Sequence, residues 1–122
     1  MAKILIAEDE SFVSNAYRIK LEGSGYEVLQ AEDGEKAMKI MQESKPDLVI
    51  LDLLMPIKNG FDVLAEKRND KDIKDIPVII TSNLSQEEDI DKGLALGAKD
   101  YIIKTDLDFP EFLEKVAKTV KK

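Results

Sequence analysis

The sequence contains no histidine, no cysteine and no tryptophan among its 122 residues. Without histidine, the chain itself supplies neither Ser-His nor Cys-His catalysis, no imidazole ligand for a metal ion and no phosphohistidine. Without cysteine, it forms no disulfide and no thiolate metal site. Any chemistry that it performs must therefore use carboxylates, hydroxyls and lysines.

Negative charge exceeds positive charge, and the apolar runs are short. The 18 lysines and arginines are outnumbered by 25 aspartates and glutamates, which gives a net charge of -7. This balance argues against sequence-independent binding to nucleic acid or to an anionic membrane surface. The N-terminal apolar run ILIA is too short for a signal peptide or a membrane span. We therefore expect a cytoplasmic protein with no direct nucleic-acid or membrane partner, folded as a single domain over residues 1–122.

Five short apolar segments alternate with five segments of helical periodicity. The predicted strands cover residues 3–7, 27–31, 48–51, 78–81 and 100–103. Five βα units in succession predict a parallel sheet with helices on both faces, joined by right-handed crossovers. The common order for such a doubly wound, flavodoxin-like α/β sheet is 2-1-3-4-5, and its switch point lies between strands one and three.

Several helix ends carry recognisable signals. Asp33 is a predicted N-cap of the second helix, and the segment SQEE at residues 85–88 is a predicted capping box for the fourth. The apolar side of the fourth helix is predicted to bury Leu94. The fifth helix is predicted to end before Lys121 and Lys122, whose charges favour a helix C-terminus.

Polar side chains follow four of the five predicted strands at their carboxyl ends. Glu8 and Asp9 follow the first strand, Asp52 the third, Ser82 the fourth and Lys104 the fifth. Taken singly, such residues are usually helix caps, turn residues or surface lysines. Because the carboxyl ends of parallel strands share one edge of the sheet, where ligands of this fold class bind, all five side chains are expected to converge.

The chemistry of this set is coherent. Three clustered carboxylates repel one another, and hard oxygen ligands with an incomplete protein shell favour Mg²⁺ as the cation that relieves the repulsion. Mg²⁺, the Lys104 ammonium and the Ser82 hydroxyl would together stabilise a phosphoryl group during transfer. Asp52 would then be the in-line nucleophile, since aspartate is a known phosphoryl acceptor.

Four motifs in order carry a resemblance that covers residues 2–118. They are the acidic pair after ILIA, DLLMPIKNG at 52–60, PVIITSN at 77–83 and GAKDYIIK at 97–104. Together, at these spacings, they resemble the receiver domains of two-component response regulators. The resemblance implies a signalling switch that catalyses only its own phosphorylation and dephosphorylation. Its partners would be a histidine kinase or histidine phosphotransfer protein and a downstream protein target.

The same resemblance implies a role for each residue of the set. Asp52 is the phosphoacceptor, Asp9 a direct Mg²⁺ ligand and Glu8 an acid that holds the metal mainly through water. The backbone carbonyl of Leu54 is a further metal ligand. Lys104 is expected to pair with the acceptor carboxylate and then with the phosphoryl group.

Further positions of the resemblance concern switching and lifetime. Strand alternation points Thr81 and Ser82 to opposite faces, so only one can serve the site, and the spacing within the motifs selects Ser82 as the switch hydroxyl. Tyr101 matches an aromatic residue that changes rotamer on activation. The side chains two residues after the acceptor and two after the switch hydroxyl, Leu54 and Leu84, would flank the water that hydrolyses the phosphoryl group.

One position departs from the family pattern. The family usually has a proline after the active-site lysine, joined by a cis peptide bond, and this chain has Thr105. The placement of Lys104 is therefore the part of the predicted site that the sequence supports least.

Three alternatives remain open at the level of sequence. One is a degenerate receiver that only binds a partner. Another is a small phosphatase of the haloacid-dehalogenase kind, although that family has a second aspartate where this chain has Leu54. The third is a flavodoxin-like carrier, although the segment AEDESF after the first strand is acidic rather than rich in hydroxyls and glycine.

Overall fold

The computed structural model describes residues 1–120, so the predicted placement of Lys121 and Lys122 lies outside the described residues. Five strands form one parallel sheet in the order β2-β1-β3-β4-β5, which confirms the predicted topology. The strands are β1 (Lys3–Ala7), β2 (Glu27–Ala31), β3 (Leu48–Leu51), β4 (Val78–Ser82) and β5 (Asp100–Ile103).

Five α-helices follow the strands in turn. They are α1 (Ser11–Gly23), α2 (Gly34–Ser44), α3 (Gly60–Arg68), α4 (Glu87–Ala95) and α5 (Phe109–Val120), and a 3-10 turn (Lys104–Asp106) lies between β5 and α5. Within residues 1–120, none of the helices combines the length and the apolar character that crossing a bilayer requires.

The predicted helix caps have different outcomes. Asp33 caps α2, because its side chain accepts a hydrogen bond from the Lys36 amide at 2.8 Å. The predicted capping box at residues 85–88 is wrong: α4 starts at Glu87, and its N-cap, Gln86, makes no side-chain capping bond. Acidic residues in the first turn stabilise this helix end through its dipole instead. The predicted burial of Leu94 is also wrong, since that residue is 42% exposed.

Helices α1 and α5 cover one face of the sheet. Their inward side chains, like those of the strands beneath them, are buried and apolar, as expected for a parallel sheet with both faces covered. The buried residues of this face are Tyr17, Leu21, Phe112 and Val116 of the helices and Ile4, Ile6, Leu48, Ile50 and Ile79 of the strands.

Helices α2, α3 and α4 cover the other face. Here the buried apolar residues are Ala37, Met41, Val63 and Leu64 of α2 and α3, with Leu5, Val49, Leu51, Val78 and Ile80 of the strands. Within α4 the buried residue is Gly93. The last helix of each face is therefore packed differently: α5 buries two apolar side chains, whereas the buried residue of α4 is a glycine.

A close backbone approach fixes the end of β3. The Gly60 amide donates to the Leu53 carbonyl at 3.0 Å. A Cβ atom at Gly60 would lie 2.5 Å from the Asp52 carbonyl oxygen, so only glycine fits at the start of α3. Asp52 is thus presented at the sheet edge by backbone that has little room to move.

Candidate functional site

The carboxyl ends of four strands bring the predicted residues to one edge of the sheet. Glu8 and Asp9 follow β1, Asp52 follows β3, and Lys104 opens the 3-10 turn after β5. Ser82 is the last residue of β4, whereas the sequence placed it directly after the strand. Glu8, Asp9, Asp52 and Lys104 therefore converge near the switch point between β1 and β3, and Ser82 lies at the same edge of the sheet.

Three carboxylates form the acidic part of the site. Oxygen atoms of Glu8, Asp9 and Asp52, one from each residue, all lie within 4.8 Å of one another. Glu8 and Asp52 are buried, whereas Asp9 is exposed. A cavity of about 210 Å³ opens beside them and is lined in part by Asp9, Asp52 and Leu54. Hard oxygen donors on one side of an open, polar space suit Mg²⁺, which keeps several waters when bound to protein.

Lys104 lies between two of these carboxylates. Its Nζ is 2.6 Å from Glu8 Oε1 and 3.4 Å from Asp52 Oδ2. Glu8 is therefore the nearer partner, although the sequence pointed to the acceptor carboxylate. Among the described residues Glu8 Oε1 is buried without a hydrogen bond, so its short contact with the ammonium is an ion pair of poor hydrogen-bond geometry. A buried oxygen in this state favours a further cation or water next to it.

Burial controls the titration of the acidic pair. It raises the pKa of Glu8 to about 7; the contact with Lys104 opposes this shift and the nearby charge of Asp52 reinforces it. Burial also raises the pKa of Asp52, opposed by the Lys104 charge and by the Leu54 and Leu53 amides. For Lys104, pairing with Glu8 and the charge of Asp52 outweigh burial and raise its pKa. The carboxylates are thus under-compensated, and a proton or a metal ion relieves them.

The two adjacent hydroxyls at the end of β4 have different partners. Ser82 Oγ accepts a hydrogen bond from the Leu84 amide at 3.2 Å. Thr81 lies on the side of α1, near Tyr17. Both hydroxyl residues are buried. The opposite orientation expected from strand alternation is present, and the switch role of Ser82 remains a prediction.

The structure adds Asn83 to the predicted set. Asn83 and Glu10 line the cavity beside Asp52 and Lys104, whereas Ser82 is absent from its lining. Asn83 is the last residue of the PVIITSN motif and, like the predicted residues, is a polar side chain at a strand end. This position at a strand end is the sequence signal that could have identified Asn83.

Tyr101 belongs to β5, and its ring lies next to α4. Its hydroxyl donates to the Leu84 carbonyl at 2.7 Å. A Cβ atom at Gly93 would lie 2.6 Å from Ile80 Cδ1 and 3.4 Å from the Tyr101 ring, so α4 packs directly against these two side chains. Burial raises the pKa of Tyr101, and the nearby Ser82 side chain opposes the shift. Tyr101 is therefore in contact with both the β4–α4 loop and α4, as a residue that reports on the site would need to be.

The segment after Lys104 accommodates Thr105 without a cis bond. All described peptide bonds are trans. The 3-10 turn is closed by the Leu107 amide, which donates to the Lys104 carbonyl at 3.1 Å. Lys104 thus reaches the carboxylates from a loop whose peptide bonds are trans. The departure from the family pattern at Thr105 does not remove Lys104 from the site.

Comparisons with known proteins agree with this geometry. The DNA-binding dual master transcriptional regulator RpaA of Synechocystis is 40% identical over 116 residues, which are 95% of this chain and 48% of that protein. The chain therefore spans about half the length of this curated relative. A response regulator from Chloroflexus aurantiacus has a crystal structure with a TM-score of 0.92 and 26% identity, covering 99% of this chain and 98% of its own.

A further solved structure shares the fold at lower identity. The receiver domain of a sensor histidine kinase from Pseudomonas aeruginosa, solved with a magnesium ion in its active site cleft, has a TM-score of 0.88 and 22% identity. It covers 98% of this chain and 97% of its own. Residues 4–117 match the response regulator receiver domain family. The chain belongs to this family, whose members act as signalling switches in two-component systems.

Proposed function

We propose that this receiver domain, residues 1–122, accepts a phosphoryl group on Asp52. The observation that carries the proposal is the position of this carboxylate. It is buried at the end of β3, 3.4 Å from the Lys104 ammonium, with carboxylate oxygens of Glu8 and Asp9 within 4.8 Å. A nucleophile next to a fixed cation and a cluster of hard ligands is the arrangement that phosphoryl transfer requires.

The donor lies outside this chain, because the chain has no histidine. In the proposed step an oxygen of Asp52 forms a bond to phosphorus while the phosphorus–nitrogen bond of a partner's phosphohistidine breaks. The imidazole keeps the electron pair of that bond and takes up a proton. A histidine kinase or a histidine phosphotransfer protein is the partner that presents such a group.

Magnesium is the cofactor that the residues fit. Asp9 and Asp52 would bind it directly, Glu8 through water, and the Leu54 carbonyl would complete the protein's share of ligands. Bound there, Mg²⁺ neutralises charge on the phosphoryl oxygens. Lys104 adds a second positive charge that the fold holds in place by its contact with Glu8. Metal binding is tested separately by calorimetry, where Asp9→Asn is expected to weaken Mg²⁺ affinity.

The output is a change of surface on the α4 side. A phosphoryl group on Asp52 offers an acceptor oxygen to the Ser82 hydroxyl, which would turn from the Leu84 amide toward it. In this structure Tyr101 is bonded to the Leu84 carbonyl, and the loop movement would raise the population of the packing that has this bond over one that lacks it. DNA binding is stated for the Synechocystis relative, of which this chain covers 48%. The net charge of -7 favours a protein as the direct target of residues 1–122.

The deciding experiment is phosphoryl incorporation followed by intact-protein mass spectrometry, with acetyl phosphate and Mg²⁺. Wild type and Asp75→Asn, a control at an exposed aspartate outside the site, are expected to gain one phosphoryl group. Asp52→Asn is expected to gain none. Incorporation that persists in Asp52→Asn would remove Asp52 as the acceptor, and no incorporation in wild type would favour a degenerate, interaction-only receiver.

A further inference from the structure

A lysine of α4 lies over the face of a phenylalanine of α3. Lys92 Nζ is 4.3 Å from the centre of the Phe61 ring, within the range of a cation–π contact. Glu88 and Asp89 stand one helical turn before Lys92, where ion pairs along a helix commonly form. Among residues 1–120, however, Lys92 has no carboxylate within 4 Å. The ring of Phe61 is the partner that its ammonium takes.

The Phe61 end of this contact is fixed to the acceptor strand. Phe61 directly follows Gly60, whose amide donates to the Leu53 carbonyl and whose missing side chain leaves space for the Asp52 carbonyl oxygen. The Phe61 ring itself is partly buried against the core of this face. Because these groups are in close contact, we expect a displacement of the acceptor backbone to shift the start of α3 and the Phe61 ring with it.

Lys92 adjoins the part of α4 that packs near Tyr101. Lys92 directly precedes Gly93, where a Cβ atom would lie 2.6 Å from Ile80 Cδ1 and 3.4 Å from the ring of Tyr101. The Tyr101 hydroxyl in turn holds the Leu84 carbonyl at 2.7 Å. The Lys92 side chain therefore extends from α4 next to the position where this helix packs on Tyr101.

We propose that the contact between Lys92 and Phe61 couples the phosphoacceptor site to α4. The contact connects two closely packed glycine positions, one against the Asp52 backbone and one against Ile80 beside the Tyr101 ring. The contact is present together with the bond from Tyr101 to the Leu84 carbonyl, and it therefore favours this arrangement. The inference rests on the proposed function, under which a phosphoryl group on Asp52 favours the same arrangement.

Reciprocity of coupling gives the measurable consequence. If the contact and the phosphoryl group favour one arrangement, removing the contact must weaken binding of a phosphoryl analogue at Asp52. For a cation–π contact at an exposed position, the expected loss of affinity is roughly two- to five-fold. Lys92 and Phe61 act through the backbone on either side and are therefore positioning residues.

The other face of the sheet offers a matched control. Lys20 Nζ lies 5.4 Å from the centre of the Phe109 ring, which joins α1 to α5. This pair has the same chemistry as Lys92 and Phe61 but no connection to Tyr101 or to α4. Its loss is expected to leave analogue affinity unchanged.

The experiment is an NMR titration with beryllofluoride in saturating Mg²⁺. Wild type, Lys92→Met, Phe61→Leu, the double variant and Lys20→Met are compared, with amide shifts followed at Leu53 and Gly93. Each single variant is expected to lose roughly two- to five-fold in affinity. The double variant is expected to lose no more than either single variant, because both substitutions remove the same contact.

The outcomes separate this inference from the proposed function. Wild-type affinity in Lys92→Met, or losses that add in the double variant, would overturn the coupling. If Phe61→Leu fails to fold, Lys92→Met against Lys20→Met still decides. If wild type shows no Mg²⁺-dependent shift at Leu53, or if Asp52→Asn shows the same shift, the proposed function fails instead.

Discussion

The two faces of the sheet hold their last helices in different ways. On one face, α5 buries Phe112 and Val116, and the Phe112 ring stacks on Tyr17 of α1 with ring centres 5.4 Å apart. On the other face, α4 buries Gly93 among its own residues and begins without a side-chain cap. Elements with few buried apolar side chains open at lower free energy than well-packed ones. The fold thus places α5, which buries two apolar side chains, and α4, whose buried residue is a glycine, on opposite faces of the sheet, and α4 is the helix suited to move.

The largest expected effect tests the packed face. Phe112→Ala removes a ring that is 1% exposed and contacts both Tyr17 and Phe109. We expect it to lower the free energy of unfolding by about 3–5 kcal/mol. The control is Leu94→Ala on α4, where a residue that is 42% exposed should cost about 1 kcal/mol or less. Denaturant unfolding measures both, and similar losses would remove the contrast between the helices.

A smaller effect concerns pH and the acidic site between the two faces. The pKa of Glu8 is raised from 4.5 to about 7 in the folded protein, so the folded state binds more protons than the unfolded state between these values. Stability of the metal-free protein is therefore expected to fall as pH rises from about 4.5 to about 7, by on the order of 2 kcal/mol.

Thermal unfolding across this pH range checks the effect, with Glu8→Gln as the comparison. In that variant the part of the slope due to Glu8 should disappear, because its side chain no longer titrates. A wild-type stability that is flat or rises through the same range, while Glu8→Gln behaves identically, would contradict the assignment.

The smallest expected effect sharpens the description of the site mouth. Leu54 is 56% exposed, and Leu84 is partly buried against the α2–α4 face. Neither side chain can orient a water for hydrolysis of the phosphoryl group. Leu54→Asn combined with Leu84→Glu is expected to speed dephosphorylation roughly tenfold, which corresponds to ~1.4 kcal/mol of barrier. Both hydrogen bonds of Leu84 come from its backbone, so they persist in this variant.

Phosphate release after removal of the donor measures this rate. The exposed Leu94 on α4 provides the control, since Leu94→Asn makes a similar change away from the site. An unchanged rate in the double variant would mean that the two leucines only pack against neighbouring loops.

The sequence predicts the sheet closely because parallel strands buried on both faces appear as short apolar runs. Only β4 differs from its predicted bounds, by the inclusion of Ser82. The predicted start of α4 was wrong for a physical reason. Its first turn is solvent-exposed and acidic, so water and the helix dipole stabilise the end, and the Ser85 and Glu88 pattern is not needed.

The residue types of the site follow from the order of strand ends, but their pairing does not. That Lys104 lies nearer to Glu8 than to Asp52 depends on side-chain burial and on the turn after β5, neither of which a motif specifies. The position of Asn83 at the cavity depends in the same way on the conformation of the loop between β4 and α4. The contact of Lys92 with Phe61 joins two helices that are distant in sequence, so only the folded structure brings it to notice.

The most direct test compares the two faces in wild type when the acceptor site is filled. Amide NMR spectra recorded with Mg²⁺, before and after beryllofluoride, should show shifts at Asp52 and its neighbours, across residues 83–94 and at Tyr101. Residues 112–116 of α5 should change little, because the aromatic packing holds that helix. Unchanged shifts at residues 83–94 and Tyr101 would contradict the account, as would equal shifts on both faces.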